Sequence, residues 1–215
     1  MKKSPPQKRK YDSTRRQAQA EETRRRILDA AHQLFMERGY AGATIDAIAQ
    51  GAGVALKTVY AVFENKRNIL LELLNRSSSD RGEEQLPVLE RPSVKAVTRE
   101  RDPRRQLEMF AQVIAGNLEG AASIAEIMNV AAKTEPDIHE LVEKLNKQRW
   151  RNMAFAVKQF ASNGPLREEN EASATDTVWT LTSPEVFLLL TRDRDWSKEK
   201  YAQWLADTLT RALLP

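Results

Sequence analysis

The sequence predicts an all-α protein, and three observations support this. Apolar side chains recur three and four residues apart along most of the 215 residues, which is the spacing of one face of an α-helix. No run of four or more residues shows the alternation of a half-buried strand. Glycine and proline residues interrupt the helical pattern often enough to divide it into about nine or ten helices.

The N-terminal region is predicted to be a tail followed by a helix. Residues 1–12 lack apolar periodicity and contain Pro5-Pro6, which indicates a disordered basic tail. From Ser13 the pattern is helical, and Gly39 is expected to end this helix as a left-handed residue. The inward positions of the helix are Ile27, Ala30, Ala31, Leu34 and Phe35.

Three short helices are predicted next. Thr44 is a candidate N-cap for a helix of one or two turns, which Gly51-Ala52-Gly53 ends. A second helix spans residues 56–63, and Asn65 is placed to cap a third that begins at Lys66. These helices and the long one before them form a predicted domain over residues 13–75.

A larger helical domain is predicted over residues 76–215. Its first part, about residues 80–102, is rich in proline and resembles a linker. Two apolar stripes follow, before Pro136 interrupts the pattern. The remaining predicted helices cover residues 137–161, 171–182, 184–190 (capped by Ser183) and 197–214.

Charge is distributed unevenly between the two predicted domains. Residues 1–75 contain 14 Lys and Arg against 8 Asp and Glu, whereas residues 76–215 contain 20 against 22. A basic segment joined to a nearly neutral one is typical of a small nucleic-acid-binding module attached to a body with another task. A solvated charge run that only improves solubility is the alternative interpretation.

The composition argues against several other classes of protein. The chain has no cysteine, which excludes disulfides and thiolate chemistry, and its basic start lacks the apolar core of a signal peptide. No segment is apolar enough for a membrane helix, so a cytoplasmic protein is expected. We find no nucleophile, zinc-hydrolase or phosphate-loop motif, and therefore predict neither an enzyme nor a cofactor. His139 and Glu143 could hold a metal ion, but a solvated surface pair is favoured and no metal site is predicted.

The segment from Thr44 to Phe63 has the spacing of a helix-turn-helix. On a helical wheel of its second helix, Val59, Phe63, Leu56 and Ala55 lie on one side. The opposite side carries Lys57 and Ala61, with Thr58 and Tyr60 flanking them.

This outward face suits contact with the DNA major groove. Lys57 could donate to guanine O6 or N7, and the methyl group of Ala61 could pack on a thymine methyl. The hydroxyls of Thr58 and Tyr60 could reach phosphates. An ordinary helical hairpin with a polar face is the alternative.

The run from Thr23 to Leu74 resembles the DNA-binding domain of the TetR family of bacterial transcriptional repressors. The resemblance is carried in register by Ala30, Ala31, Leu34, Phe35, Gly39, Tyr40, Thr44, Ile48, Ala49, Ala52, Gly53, Val54, Thr58, Tyr60, Phe63 and Lys66.

The resemblance implies a homodimer that places two recognition helices on a near-palindromic operator, and a C-terminal domain that binds a small-molecule effector. It also implies phosphate contacts by Thr44, Tyr60 and Lys66. The sequence departs from the family pattern at Ala55, where a capping serine is usual, and at Ala61, where a larger residue is common. The predicted DNA-binding set is Thr44, Ala55, Lys57, Thr58, Tyr60, Ala61 and Lys66.

The segments 176–190 and 196–214 also resemble the C-terminal helices of one TetR branch, in which the last two helices form the dimer interface. The last helix has a wide apolar face that nothing later in the chain can cover. Packing of this face on its own domain is the alternative. The predicted interface residues are Tyr201, Trp204, Leu205, Thr208, Leu209 and Leu213.

An effector pocket is predicted around the long helix of residues 137–161. Arg149 lies on its apolar side, so it requires an acidic partner within the fold or an anionic or carbonyl-bearing ligand. The other candidate residues are also consistent with plain core packing. The predicted pocket residues are Phe110, Met128, Arg149, Asn152, Met153 and Trp179.

Three functions remain open from the sequence. The leading hypothesis is a dimeric repressor that an effector releases from a palindromic operator. The alternatives are an architectural DNA-binding protein without an effector and, on much weaker grounds, a helical enzyme.

Overall fold

The computed structural model describes residues 8–78, 86–167 and 170–215, with side chains from residue 15 onward. All regular structure within these ranges is helical, which confirms the predicted all-α class. The helices are α1 (Lys8–Gly42), α2 (Ile45–Ala52), α3 (Leu56–Phe63), α4 (Lys66–Ser77), a 3-10 turn (Val88–Glu90), α5 (Pro92–Arg99), α6 (Pro103–Ala131), α7 (Pro136–Ala161), α8 (Glu171–Leu181), α9 (Pro184–Thr191) and α10 (Lys198–Leu213).

The chain divides into two compact units, and the division falls within α4, between Leu73 and Leu74. The first unit is built on the C-terminal half of α1, against which α2 packs. Its core consists of aliphatic and aromatic side chains from all four of its helices. The fully buried members are Ile27, Ala31, Phe35, Ala43, Ile48, Val59, Ile69 and Leu70.

Both ends of α1 differ from the prediction. The helix begins at Lys8 instead of Ser13, so residues 8–12 of the predicted tail are helical, and residues 1–7 lie outside the described part of the chain. Gly39 has the expected positive φ of 66°, but its ψ of −177° is extended, and helical structure resumes as far as Gly42. Gly39 therefore kinks α1 where the sequence predicted its end.

The second unit is organised around α6, which packs against α7, α9 and α10. Both apolar stripes predicted before Pro136 lie on this one 29-residue helix. The interior of the second unit includes two aromatic contacts, Phe110 with Phe160 at 5.3 Å and Phe187 with Tyr201 at 4.9 Å between ring centroids. The hydrophobic core of this unit is thus shared by its longest and its last helices.

The predicted linker over residues 80–102 is partly wrong, because α5 lies within it. Pro92 occupies the first turn of α5, where its missing N–H costs nothing, and Val97 is buried against the core. Gln106, which is fully buried, donates from Nε2 to the carbonyl oxygen of Val97 at 3.1 Å. The high proportion of proline in this segment suggested a linker, but one of these prolines begins a helix.

Gly120 allows the middle of α6 to pass very close to the end of α4. A Cβ atom at this position would overlap the carbonyl oxygen of Ser77, which is backbone and cannot move aside alone.

No helix among the described residues is long and apolar enough to cross a membrane.

Candidate nucleic-acid interface and cavity

The turn between α2 and α3 is fixed by a glycine and an arginine. Gly53 ends α2 with φ 62° and ψ 40°, and its N–H bonds back to the last turn of the helix. Arg26 of α1 donates from Nη2 to the carbonyl oxygens of Ala52 and of Gly53, the latter at 3.1 Å. A Cβ on Gly53 would meet this guanidinium group. A larger residue would therefore be strained in this left-handed conformation and would displace the Arg26 side chain.

The outward face of α3 matches the helical wheel in its main features. Val59 and Phe63 are buried, whereas Lys57, Tyr60 and Ala61 are exposed on the other side. Thr58 is half-buried between the two faces. The side chains predicted to contact DNA from α3 therefore lie together on one accessible surface.

Leu56 and Ala55 differ from the wheel, which placed them on the buried side. Leu56 is 39% exposed and Ala55 is exposed as well. A wheel gives an angle about the helix axis but no position along it, and these residues lie at the very start of α3. Ala55 is the N-cap and has no side-chain hydrogen bond to α3, as the absence of the usual serine implied.

Thr44, a predicted phosphate contact, serves as the N-cap of α2. Its Oγ1 accepts from the N–H of Ala47 at 3.1 Å, and the residue is exposed. Asn65 caps α4 in the same way, accepting from the N–H of Asn68 at 2.9 Å. Both capping predictions are confirmed.

We expect Thr44→Ala to lower the free energy of unfolding by about 1 kcal/mol, because the N-terminal N–H groups of α2 lose their acceptor. Thr44→Ser keeps the hydroxyl oxygen and should stay within about 0.5 kcal/mol of the original chain. Urea denaturation followed by circular dichroism measures both values. Equal stability of the alanine and serine variants would contradict the capping role.

Lys66 contributes to the structure of the first unit. Its Nζ donates to the carbonyl oxygen of Tyr40 at 2.7 Å and lies 4.0 Å from the centroid of the Tyr40 ring. The ammonium group therefore ties the start of α4 to the C-terminal part of α1. Its predicted phosphate contact stays a prediction.

An ion pair that sequence reasoning missed connects α1 to α4. The Arg24 guanidinium binds the Glu72 carboxylate through both Nε, at 2.6 Å from Oε1, and Nη2. The same guanidinium lies 4.6 Å from the centroid of the Phe63 ring. The two charged residues are 48 positions apart, so no local spacing could have indicated the pair.

A cavity of about 640 Å³ lies within the second unit, a size usual for small-molecule sites. Its lining is mostly apolar and comes from α4, α5, α6, α7, α8 and α9 together with neighbouring loops. All six residues predicted for an effector pocket line it, although their role in binding stays a prediction. They are Phe110, Met128, Arg149, Asn152, Met153 and Trp179.

Arg149 lies against Trp179 in this cavity, with no carboxylate within 4 Å of it among the described residues. Its Nη1 donates to the carbonyl oxygen of Trp179 at 2.7 Å, and its guanidinium carbon lies 4.2 Å from the centroid of the Trp179 ring. Burial lowers the pKa of Arg149 to about 10, against smaller opposing effects of Glu185 and Tyr201. The side chain therefore stays charged at neutral pH in a poorly solvated place.

The predicted dimer face requires a correction. Tyr201, Leu205, Leu209 and Leu213 are at most 1% exposed, because α10 packs along α6 within the same chain. Their side chains cannot also form a subunit interface. The spacing of apolar residues correctly predicted the apolar face of α10, but the helix that covers this face is α6, which comes earlier in the chain.

The other two predicted interface residues, Trp204 and Thr208, are half-buried. The Trp204 ring packs against Trp196 at 6.1 Å and Tyr201 at 5.9 Å between centroids.

Exposed apolar side chains occur elsewhere: Val130 is 61% and Leu189 55% exposed, and both line one surface groove with Val186.

His139 and Glu143 form an exposed pair on α7, with Nε2 3.7 Å from Oε1. Among the described residues, no group of three or more potential ligands of the His, Asp or Glu type could hold a metal ion.

Known proteins share parts of this sequence and most of this fold. A sequence model of a protein family, described as bacterial regulatory proteins of the tetR family, matches residues 27–73, which contain α2 and α3. YvkB of Bacillus subtilis, described as an uncharacterized HTH-type transcriptional regulator, is 27% identical over 159 residues, covering 74% of this chain and 78% of that protein. Two further relatives, the HTH-type regulators SrpR and TtgW of Pseudomonas putida, are 47% and 46% identical, but they align over only 27% and 42% of their own length.

Solved structures share the fold over most of the chain. NalD of Pseudomonas aeruginosa, the secondary repressor of the MexAB-OprM efflux pump, has a TM-score of 0.65 at 22% identity, covering 91% of this chain and 98% of NalD. FadR of Bacillus subtilis in complex with stearoyl-CoA has a TM-score of 0.66 at 19% identity, covering 86% and 96%. At these identities the two likenesses establish the fold alone.

Proposed function

Because the chain belongs to the TetR family of bacterial transcriptional regulators, we propose that it is a dimeric repressor that a small-molecule effector releases from a palindromic operator. The observation that carries this proposal is the exposed face of α3, on which Lys57, Tyr60 and Ala61 lie together. A lysine, a phenol and a methyl group supply base contacts, phosphate contacts and apolar contact to thymine. The net positive charge of residues 1–75 favours DNA in the same region.

The dimer follows from what one recognition helix can read. A two-turn helix reaches only a few base pairs, so two copies on adjacent major grooves, about 34 Å apart, are needed for a specific site. The groove with Val130 and Leu189 is the best candidate for the contact between copies, because it exposes large apolar side chains. This assignment replaces the buried face of α10.

The effector is assigned to the cavity of the second unit. Its size and apolar lining suit a small molecule, and a ligand that prefers the conformation unable to bind DNA shifts the equilibrium toward release. A preference of about a hundredfold corresponds to roughly 2.7 kcal/mol, enough to empty an operator held near its dissociation constant. This assignment is supported by solved structures of the same fold in complex with small molecules, a transcriptional regulator of Saccharomonospora viridis with choline and FadR of Bacillus subtilis with stearoyl-CoA.

A mobility-shift titration against a preferred palindrome and a scrambled duplex, at several salt concentrations, tests the proposal. We expect a preference for the palindrome of at least about a thousandfold at physiological salt. Equal affinity for both duplexes would instead support an architectural DNA-binding protein without an effector. Absence of binding to either duplex at low salt would contradict both.

A further inference from the structure

The described residues that line the cavity of the second unit carry more positive than negative charge. The charged residues among them are two arginines, Arg91 and Arg149, and one glutamate, Glu185. Glu185 is exposed and its Oε1 accepts a hydrogen bond from Asn129 at 2.8 Å. Arg91 is 6% exposed and donates to the carbonyl oxygens of Ser78 and Leu86. Among the described residues, neither arginine lies within 4 Å of a carboxylate.

Arg149 retains hydrogen-bonding capacity on its side of the cavity. Only Nη1 has acceptors among the described residues, the Trp179 carbonyl oxygen at 2.7 Å and Thr182 Oγ1 at 3.5 Å. A guanidinium group carries five N–H donors in a planar fork, so Nε and Nη2 of Arg149 remain for another partner. This fork matches the two oxygens of a carboxylate.

The surroundings of Arg149 favour an anionic partner over a neutral one. The cavity lining is mostly apolar, and among the described residues the Arg149 guanidinium contacts a ring face and a carbonyl dipole, while Glu185 adds only a smaller electrostatic effect. An unpaired charge at the edge of such a space gains more from a counter-ion than it would in water. Burial also depresses the pKa of this arginine to about 10, as expected for an incompletely compensated cation.

We propose that the cavity binds an apolar molecule with a carboxylate group, which Arg149 holds through its guanidinium fork while the alkyl or aryl part occupies the apolar lining. This inference rests on the proposed function only in taking that molecule as the effector. The binding itself is measured without DNA.

Three probes of equal chain length separate the head-group chemistry: octanoate, octanol and octyltrimethylammonium. Isothermal titration calorimetry with the full chain should give the tightest binding for octanoate and the weakest for the cation. In the Arg149→Gln variant, octanoate affinity should fall about tenfold, the size of one lost charge-assisted contact, while octanol affinity stays unchanged. The control is Arg151→Gln, which removes an exposed arginine two residues away and should change neither value.

Two results would overturn this inference. One is equal or tighter binding of the cationic probe in the original chain, which would assign the cavity to cations. The other is an equal loss of octanoate and octanol in Arg149→Gln, at unchanged helicity and thermal stability, which would reduce Arg149 to a packing residue. Neither result affects DNA binding, so the proposed function would stand or fall separately.

The exposed leucine at the start of α3 supports a second, independent inference. Leu56 is 39% exposed directly beside Lys57, whereas the other large aliphatic side chains described from α2 to α4 are buried or half-buried. A leucine side chain has no hydrogen-bonding group, so in a DNA groove its partner must be apolar, and the thymine methyl is the apolar group on the base edges of the major groove. We infer that Leu56 reads a thymine methyl in each half-site, which rests on the proposed DNA binding by α3.

Replacing single thymines of the preferred site by deoxyuridine removes one methyl group at a time. We expect one thymine per half-site at which this change weakens binding of the original chain about fourfold, the contribution of one buried methyl. Leu56→Ala should lose sensitivity at that position while keeping its sensitivity at any thymine that Ala61 contacts. Leu86→Ala, which shortens a leucine of the second unit that is 39% exposed like Leu56, is the control for surface leucines.

The inference fails if Leu56→Ala binds the site specifically and retains the deoxyuridine sensitivity of the original chain at every position. Failure of the proposed function is a different result, in which no site is bound specifically at all.

Discussion

Replacing Lys57 by alanine is expected to weaken binding to the preferred operator by about 1 to 3 kcal/mol, which is the value of one good base contact. Lys57 is exposed in the first turn of α3 on its outward face, and its ammonium group, for which no partner is found among the described residues, can donate to guanine O6 or N7. Binding to scrambled duplexes should fall less, because only the general attraction of one charge is lost there. Fluorescence anisotropy with labelled duplexes measures both affinities.

A second lysine controls for charge in the Lys57 experiment. Lys144→Ala removes an exposed positive charge from α7 and should reduce operator affinity by no more than the loss seen on scrambled DNA. Equal losses on the operator and on scrambled DNA for Lys57→Ala would assign Lys57 to the phosphate backbone.

The other large effect is expected from Leu189→Glu. Leu189 is 55% exposed on α9, so a glutamate there should leave the protomer folded, but in a dimer it would bury a new negative charge in place of an apolar contact, in a groove that already contains Glu126, Glu185 and Asp193. Sedimentation should show a monomer, and operator affinity should fall by more than about a hundredfold, because one recognition helix then binds alone.

Arg211→Glu offers a comparison for the dimer experiment. Arg211 is exposed on the outer side of α10, and its replacement alters charge without touching the groove of Val130 and Leu189. It should remain dimeric. A Leu189→Glu protein that sediments as a dimer would exclude this groove as the interface.

Local signals in the sequence were sufficient for most of the helices. Thr44, Asn65 and Ser183 were predicted as caps, and in each case the side-chain oxygen accepts a backbone N–H in the first turn of the next helix. Capping chemistry is confined to three or four residues, so it can be identified without knowledge of the fold. The same holds for the outward face of α3, which depends on angular position alone.

Features that depend on distant parts of the chain could not be predicted. The partner of Arg24 is 48 residues away, and the carbonyl groups that Arg26 binds are 26 and 27 residues away. The apolar face of α10 follows from local periodicity, but no local signal indicates that α6 covers this face. The position of Arg149 on an apolar face predicts an acid or a ligand as its partner, whereas in the structure it donates to the backbone carbonyl oxygen of Trp179.

Selection of binding sites from a pool of random duplexes tests the central claim most directly. A dimeric regulator that reads DNA through α3 should enrich a motif with two-fold symmetry, whose half-sites are centred about 10 base pairs or a small multiple of that distance apart. The same selection with Lys57→Ala should lose information at a guanine within each half-site. Enrichment of no motif, or of a single half-site without symmetry, would contradict the dimeric, sequence-specific regulator proposed for this chain.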